Sequence, residues 1–330
     1  MRHLTIAEFG VFLGVNGNRL VVHESDGSTW ETPLSRLRTV RVAKAGVSLS
    51  SNVILACAER GIRLYFCDWR GVGVAAVSGL HQHAVVSVRK AQFAALGSPF
   101  AFELAREFIV SKLRNQRAVL LYFNKYVSKN SAEASALLAA SAETLQAISR
   151  QLAGMNFDDD WRQKILGREG AAASNYWKVL GQAELLSPEF VQREGRGSTE
   201  LTNVCLNYGY SILLSYCWSA LDNAGLELYS GFLHTDRPGK PSLVLDFMEE
   251  YRAWVVDRVV IKLRQQIAKA KRFDQSLKSE LSRMIADCMS SEILYRGKRL
   301  RLENVMQRQA YRLAGAVVDN KKYKGIRFKW

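Results

Sequence analysis

Three stretches of the chain gather polar residues that apolar packing does not call for. The first is Gly167-Arg168-Glu169-Gly170-Ala171-Ala172-Ala173-Ser174-Asn175-Tyr176-Trp177. Here Glu169 is expected where the chain turns helical, followed by small residues that let a backbone or a ligand come close. The second, Leu233-His234-Thr235-Asp236-Arg237-Pro238-Gly239-Lys240-Pro241, carries an imidazole, and the third is Asp246-Phe247-Met248-Glu249-Glu250-Tyr251-Arg252. On a helix, Asp246 and Glu249 (i, i+3) share one face and Glu250 joins from the adjacent position. Two carboxylates on one face, met by a third carboxylate and an imidazole from elsewhere, make a mostly oxygen-donor set with one borderline nitrogen. That set suits Mg²⁺ or Mn²⁺, the imidazole tilting it toward Mn²⁺. Acidic groups clustered without a cation repel one another and shift one another's pKa. A divalent ion resolves that conflict, polarises a phosphoryl oxygen and activates an attacking hydroxyl.

Each of these residues also has an ordinary reading, and spacing alone leaves it open. Asp246 suits a helix N-terminus, where a carboxylate meets the dipole, and Glu249 suits an ion pair with Arg252 or Arg237. Glu169 reads equally as a first-turn glutamate, and His234 as a hydrogen-bonded histidine at a loop entrance. A competing pair, His81 and His83 of His81-Gln82-His83, would put two imidazoles on one strand face. It falls at the expected domain junction without a carboxylate run, so a turn or linker is the better reading. Gly14 and Gly17 lack the strand–loop–helix setting and the lysine of a phosphate-binding loop, which excludes nucleotide hydrolysis. No GxSxG and no Cys/His pairing points to a covalent nucleophile. Five cysteines, odd in number, without a CxxC and set among apolar neighbours, read as small buried hydrophobes in a reducing compartment.

The elements that must position these residues follow from periodicity. Asn18–His23, Thr39–Val42, Arg63–Phe66 and Val72–Val77 are rich in β-branched and aromatic residues and separated by turn formers, so they read as strands. A helix capped at Ser50 or Ser51 and ended by Gly61 interrupts them. After about residue 96 the period changes: Pro99 opens a helix, and Ser131–Gly154, Glu200–Ala224 and Arg258–Lys269 continue the pattern. The expected fold class is α+β, with a small antiparallel, sandwich-like β domain over 1–96 and a larger all-α catalytic domain over 97–330. No apolar run approaches the roughly 18–20 residues of a membrane span. The start lacks the profile of a signal peptide. A soluble, cytoplasmic protein is expected.

The chain carries 46 Lys+Arg against 31 Asp+Glu, a formal charge of +15. Residues 258–330 alone hold 19 basic and 6 acidic residues, while 91–257 hold 16 and 19, so the excess concentrates in the last fifth. That tail interleaves Phe273, Tyr295, Tyr311, Tyr323, Phe328 and Trp330 with its cations, which fits phosphate and stacking partners.

Read in order, the motifs form a family pattern. ExxAAxxYW-like Glu169–Trp177, LNYGY at Leu206–Tyr210, GFLH at Gly231–His234 and RPGKPSLVLDFMEEYR at Arg237–Arg252 follow one another. EFGVFLG at Glu8–Gly14, NRLVV at Asn18–Val22, GVSLSSNVI at Gly46–Ile54 and ERGIRLYFCD at Glu59–Asp68 precede them. From about residue 4 to about residue 260 the chain resembles the CRISPR-associated spacer-acquisition integrase family, Cas one. The resemblance implies a metal-dependent DNA endonuclease and integrase whose ligands are a glutamate, a histidine and a second acidic residue. By motif these fall on Glu169, His234 and Glu249, with Asp246 sharing or positioning a Mg²⁺ or Mn²⁺ ion. It implies strand transfer, in which the 3′-hydroxyl of a captured double-stranded fragment attacks a phosphodiester at the edge of a CRISPR repeat. It also implies a homodimer, and a heterohexamer with the smaller acquisition partner, Cas two. Lys112, Arg114 and Arg117 on one early helix, with Arg237, Lys240 and Arg252, are candidates for gripping DNA phosphates, a solvated face being the ordinary reading of the helix trio. The competing class is a non-catalytic architectural DNA-binding protein with structural carboxylates. A zinc hydrolase of small substrates is disfavoured by the +15 charge and the hard donors.

Overall fold

Strand formers dominate the first eighty residues and pair into two four-stranded sheets. The computed structural model describes residues 2–68, 73–77, 79, 85–195 and 197–329, so His81 and His83 lie outside the described residues. The strands are β1 (Arg2–Ile6), β2 (Phe12–Asn16), β3 (Arg19–His23), β4 (Thr29–Pro33), β5 (Leu37–Val42), β6 (Ser48–Leu49), β7 (Arg63–Cys67) and β8 (Gly73–Val77), with helix α1 (Ser51–Glu59) between β6 and β7. One sheet runs β1-β5-β7-β8 and the other β4-β3-β2-β6. Leu13, Leu20, Val22, Val40 and Leu64 are fully buried in the core of this unit, with Val53 and Cys57 of α1. The sheets are not antiparallel throughout: β1–β5, β5–β7 and β2–β6 pair in parallel. Parallel neighbours need a crossover, and the long connection through α1 from β5 to β7 supplies one.

Two compact units divide at residues 83 and 84, earlier than the change of period near residue 96 suggests. The intervening residues form helix α2 (Val85–Leu96) and pack within the larger unit. That unit continues with α3 (Pro99–Val127), α4 (Ala132–Ala153), α5 (Trp161–Gln182), α6 (Leu201–Asn223), α7 (Ser242–Met248), α8 (Arg258–Lys262), α9 (Arg264–Lys269), α10 (Gln275–Ser290) and α11 (Leu302–Asp319). Local chemistry starts several of them. Ser98 caps α3 ahead of Pro99, Ser131 accepts from Ala134 N–H, and the Glu200 carboxylate accepts from Thr202 and Asn203 N–H. Between α7 and α8 a π-helical turn spans Ala253–Asp257. The unit is not all-α, because β9 (Glu292–Tyr295) and β10 (Lys298–Arg301) form a hairpin. Arg296 and Gly297, at φ 50° and 81°, make the two-residue turn whose twist matches a hairpin.

Residues 321–329, which belong to no helix or strand, form a strap. Tyr323, Ile326 and Phe328 are buried, and Phe328 stacks on Trp254 at 5.0 Å. Asn115 of α3 donates to the Ile326 carbonyl at 3.0 Å and accepts from Phe328 N–H at 3.0 Å. Four of the five cysteines are buried, and burial pushes the Cys57 thiol up to about 11 and the Cys205 thiol up to about 12. These are packing residues. No helix among the described residues is long and apolar enough to cross a membrane.

Candidate active site

Glu169 stands more than two turns inside α5, which begins at Trp161, so it is not a first-turn glutamate. Gly167 and Gly170 beside it face open space, since a Cβ at either would meet nothing within 4 Å. Helix interiors pay about 1 kcal/mol for a glycine over alanine, and packing within the chain gives no reason for these two. The α5 helix packs on α3 and α4. From α3, the Lys112 ammonium reaches across to Glu169, with which it hydrogen-bonds. The same nitrogen lies 2.8 Å from Glu249 Oε2.

Glu249 ends α7 and is buried, its side chain only 4% exposed. Its Oε1 is 3.3 Å from Arg252 Nε. Burial pushes this carboxyl up, but the charges of Arg252 and Lys112 outweigh it and hold the group at about 2. Burial likewise pulls the Lys112 ammonium down, and Glu249 and Glu169 outweigh it, leaving that group raised. Both stay charged at neutral pH. Oε2 lies in ionic contact with Lys112 and has no second partner among the described residues.

His234 is positioned by a different carboxylate. Asp246, fully buried on α7, accepts from Phe232 N–H at 2.6 Å and Leu233 N–H at 2.9 Å through Oδ2. Its Oδ1 takes His234 N–H at 3.1 Å and the His234 Nδ1 at 2.6 Å. Four contacts fill both carboxylate oxygens, and because a carboxylate only accepts, the His234 Nδ1 is the donor. Nε2 is then the ring nitrogen able to serve as a ligand, a geometry common in metal-ligating histidines. Asp246 and Glu249 therefore diverge despite their shared helical face: one turns to the GFLH loop, the other to Lys112. Among the described residues no three of His, Cys, Asp and Glu converge as a metal cluster. Glu169 and Glu249 are brought together by a lysine, and His234 is joined to Asp246.

Comparison with known proteins places the chain in a family. The family model described as CRISPR associated protein Cas1 matches residues 4–287. A curated relative, CRISPR-associated endonuclease Cas1 1 of Francisella tularensis subsp. novicida, is 45% identical over 330 residues, covering 100% of both chains. The chain belongs to the Cas1 family. A second relative of the same description, from Archaeoglobus fulgidus, is 29% identical over 99% of each chain. Among solved structures, a casposase bound to integration product superposes with TM-score 0.80 at 21% identity, over 98% of this chain and 93% of that one. A Cas1 protein from Thermotoga maritima gives TM-score 0.77 at 17% identity, over 99% and 100%. At such identities these two speak for the fold.

In this Cas1 family member the candidate DNA-gripping residues have separate surroundings. Lys112 is buried between carboxylates. Arg114 is half-buried, and burial, with Arg327 beside it, lowers its pKa. Arg117 lies 3.3 Å from Glu143 of α4. The three do not form one exposed row. Arg237 and Lys240 close a tight turn in which Lys240 N–H donates to the Arg237 carbonyl at 3.0 Å, with Arg237 exposed. Arg252 spans Glu249 and the ring of Tyr210, 5.0 Å from its centroid.

Behind Arg252 lies a group that motif spacing does not disclose. Asp257, buried in the π-helical turn, accepts from Tyr210 hydroxyl at 2.6 Å and Tyr176 hydroxyl at 3.2 Å. Burial pushes its carboxyl up to about 6 against those hydrogen bonds and the charges of Arg193 and Arg252. The two tyrosines sit inside the ExxAAxxYW-like and LNYGY motifs, which was their available signal. Asp257 had none, because a carboxylate amid AWVVDRVV has no motif of its own.

Proposed function

We propose that this chain is a metal-dependent DNA endonuclease and integrase that inserts captured double-stranded fragments into a CRISPR array. The observation that carries the reading is the site itself: Glu169 and Glu249 share one cation, and Asp246 clamps His234 by its Nδ1. By donor chemistry, two carboxylates and an imidazole suit a Mg²⁺ or Mn²⁺ ion. The buried Glu249 carboxylate and the ammonium drawn between it and Glu169 mark a place where positive charge is favoured. Glu169, Glu249 and the His234 Nε2 would hold the ion, with Asp246 orienting the ring. When bound, it would supply electrostatic stabilisation of phosphoryl charge and a lowered pKa for the attacking hydroxyl.

The rest of the chemistry belongs to the chain. Glu249, held ionised by its neighbours, keeps an anionic ligand available at any physiological pH. Asp246 keeps the imidazole proton on Nδ1. Lys112 and Arg252 bring fixed positive charge beside the developing pentavalent phosphorus, where preorganised donors lower the barrier most. The 3′-hydroxyl oxygen of the fragment bonds to phosphorus as the P–O bond to the repeat's 3′ oxygen breaks, giving one new phosphodiester and one free 3′ end. With water as nucleophile the same site cleaves DNA. The open space beside Gly167 and Gly170 suits close approach of a backbone. Arg237, Lys240 and the basic last fifth supply phosphate contacts.

The likeness to a casposase bound to integration product and to a Cas6-RT-Cas1–Cas2 complex (TM-score 0.75, 20% identity, 98% of this chain and 36% of that one) supports DNA and the smaller Cas2 as partners. We extend this to a homodimer assembling with Cas2 into a heterohexamer.

The test is a fluorescent duplex with a 3′-hydroxyl, incubated with a repeat-bearing plasmid and Mn²⁺ or Mg²⁺. Joining and cleavage are expected from the unaltered chain. Glu169→Ala and His234→Ala should abolish both while leaving DNA affinity within about twofold. Unchanged joining by both variants would sink the site assignment. Binding without joining under either metal would favour the architectural reading.

A further inference from the structure

His234 lies on the segment joining α6 to α7, a stretch without strand or helix of its own. Loops hold a side chain in place only as well as their backbone groups are satisfied. Asp246 satisfies the last part, Phe232 to His234. The part before it is satisfied by Gln92, a residue of α2 far away in sequence and fully buried. Its Nε2 donates to the Glu227 carbonyl at 2.9 Å and to the Ser230 carbonyl at 2.8 Å. Its Oε1 accepts from Glu227 N–H at 2.8 Å. Only one orientation of the amide is compatible with these partners, because the atom near two carbonyls must be the donor.

We propose that Gln92 is a positioning residue for His234. From α2 it pins residues 227–230, so that the next three peptide groups reach Asp246 in the register that leaves the imidazole Nε2 free. This rests on the proposed role of His234 as a ligand.

Three features carry the argument. First, a buried amide is costly unless its hydrogen bonds are made, and an apolar side chain would fill the same space on α2 without that cost. Gln92 spends three hydrogen bonds on one loop, as a neighbouring strand would. Second, the pinned and clamped stretches are nearly contiguous. Gln92 holds 227 and 230, Gly231 follows, and Asp246 holds 232, 233 and 234. Gly231 has no room for a side chain, since a Cβ would stand 2.8 Å from Asp246 Oδ2 and 2.8 Å from Ser242. A shift of the first stretch is therefore passed on to the second rather than absorbed. Third, the other ties to this stretch are single contacts: Leu243 N–H donates to the Leu228 carbonyl at 3.1 Å, the Ser230 hydroxyl donates to Asp236 at 3.3 Å and Arg89 lies 3.7 Å from Glu227, whereas Gln92 grips both ends of 227–230 through backbone groups. Glu169 and Glu249, by contrast, stand on α5 and at the end of α7, and among the described residues the Gln92 hydrogen bonds run to neither helix. Its loss should displace one ligand of the three.

The experiment uses the full chain carrying Gln92→Leu, which keeps bulk, and Gln92→Glu, which keeps shape but removes the donors. Three readouts are taken. In the metal-free protein, the proton of His234 Nδ1 bound to Asp246 should give a low-field NMR signal, identified by its absence in His234→Ala. That signal should broaden or vanish in both Gln92 variants. Mn²⁺ affinity should fall about 10- to 100-fold, as removal of outer support for a ligand usually does. DNA affinity without metal should be unchanged, and joining should fall with Mn²⁺ affinity. An unaltered Nδ1 signal and unaltered Mn²⁺ affinity in both variants overturn the role of Gln92. Full joining by His234→Ala overturns the proposed function instead, so the two failures are separable. Should both variants fail to fold, amide exchange in the unaltered chain decides. A Glu227 N–H protected as strongly as α2 supports the assignment, and one exchanging as fast as an exposed loop overturns it.

Discussion

At the scale of single residues, the site is organised by which carboxylate meets which cation. Glu249 faces Lys112 and Arg252, and its charge is secured by them. Asp246 faces four donors of one loop, and its charge is spent on holding that loop. The two acids have different tasks although they stand three residues apart. Asp246→Asn separates them. An amide offers one acceptor and one donor group to a nest of donors, leaving backbone N–H groups unpaired at about 1–3 kcal/mol each. The expected outcome is a lowered unfolding midpoint in a denaturant titration and a joining rate down about 10- to 100-fold, as for loss of second-sphere support. Joining at the unaltered rate would show that the imidazole needs no clamp.

At the scale of elements, α3 is the axis to which the site is referred. It carries Lys112 to the carboxylates and, one turn on, Asn115, which donates to the Glu250 carbonyl at 2.7 Å and ties down the C-terminal strap. The strap in turn meets Glu250 directly, Ile326 N–H donating to Oε2 at 2.7 Å and Tyr323 hydroxyl to Oε1 at 2.6 Å. Phe328→Ala tests whether the strap is integral to the fold. It deletes a buried ring stacked at 5.0 Å on Trp254, and such truncations cost about 3–5 kcal/mol. Chemical denaturation followed by tryptophan fluorescence reads both the loss and the changed surroundings of Trp254. A shift below about 1 kcal/mol would mean the strap is loosely held. Gly231→Ala probes the loop between α6 and α7. With atoms at 2.8 Å on two sides, overpacking should cost about 1–3 kcal/mol in melting and separate His234 from Asp246. Wild-type stability and joining in that variant would contradict the tight register argued for the loop.

At the scale of the whole molecule, three buried carboxyls give stability a defined response to pH. Glu249 is held at about 2, below its unfolded value, so its contribution is present above about pH 4.5 and is lost as pH falls. Asp257 and Glu250 go the other way: burial, over their hydrogen bonds, pushes them up to about 6 and about 7. For these two the folded state binds more protons than the unfolded chain between about pH 4 and pH 7. Their effect is a stability that declines as pH rises through that window and is level above it. From these three groups thermal unfolding should be most resistant near pH 4, falling toward pH 2.5 and again as pH rises to about 7. Asp257→Asn should flatten the upper limb. An upper limb unchanged in that variant would show that Asp257 is not its source.

The amino-acid sequence by itself settled what local chemistry and periodicity can settle. Ser98-Pro99, Ser131 and Glu200 start helices where cap chemistry says they should, and the β-branched runs at Asn18–His23 and Arg63–Phe66 are strands. The order of motifs from Glu8 to Arg252 was enough to name the family. Boundaries that depend on long-range packing were not legible. The start of α5 at Trp161 was hidden because the glycines around Glu169 look like a helix entry when read alone. The parallel pairing of β5 with β7 depends on a crossover, and a strand's own residues do not record the direction of its neighbour. The partners in the site were decided by tertiary structure alone. Lys112 looks like a solvent-facing member of a basic helix until α5 and α7 bring Glu169 and Glu249 to its ammonium. Gln92 falls in what reads as the junction before the helical period, with no sign of its task until the loop 227–230 comes to rest on it. An ion pair or a buried hydrogen bond is a relation between two residues distant in sequence, and only the folded chain fixes the distance between them.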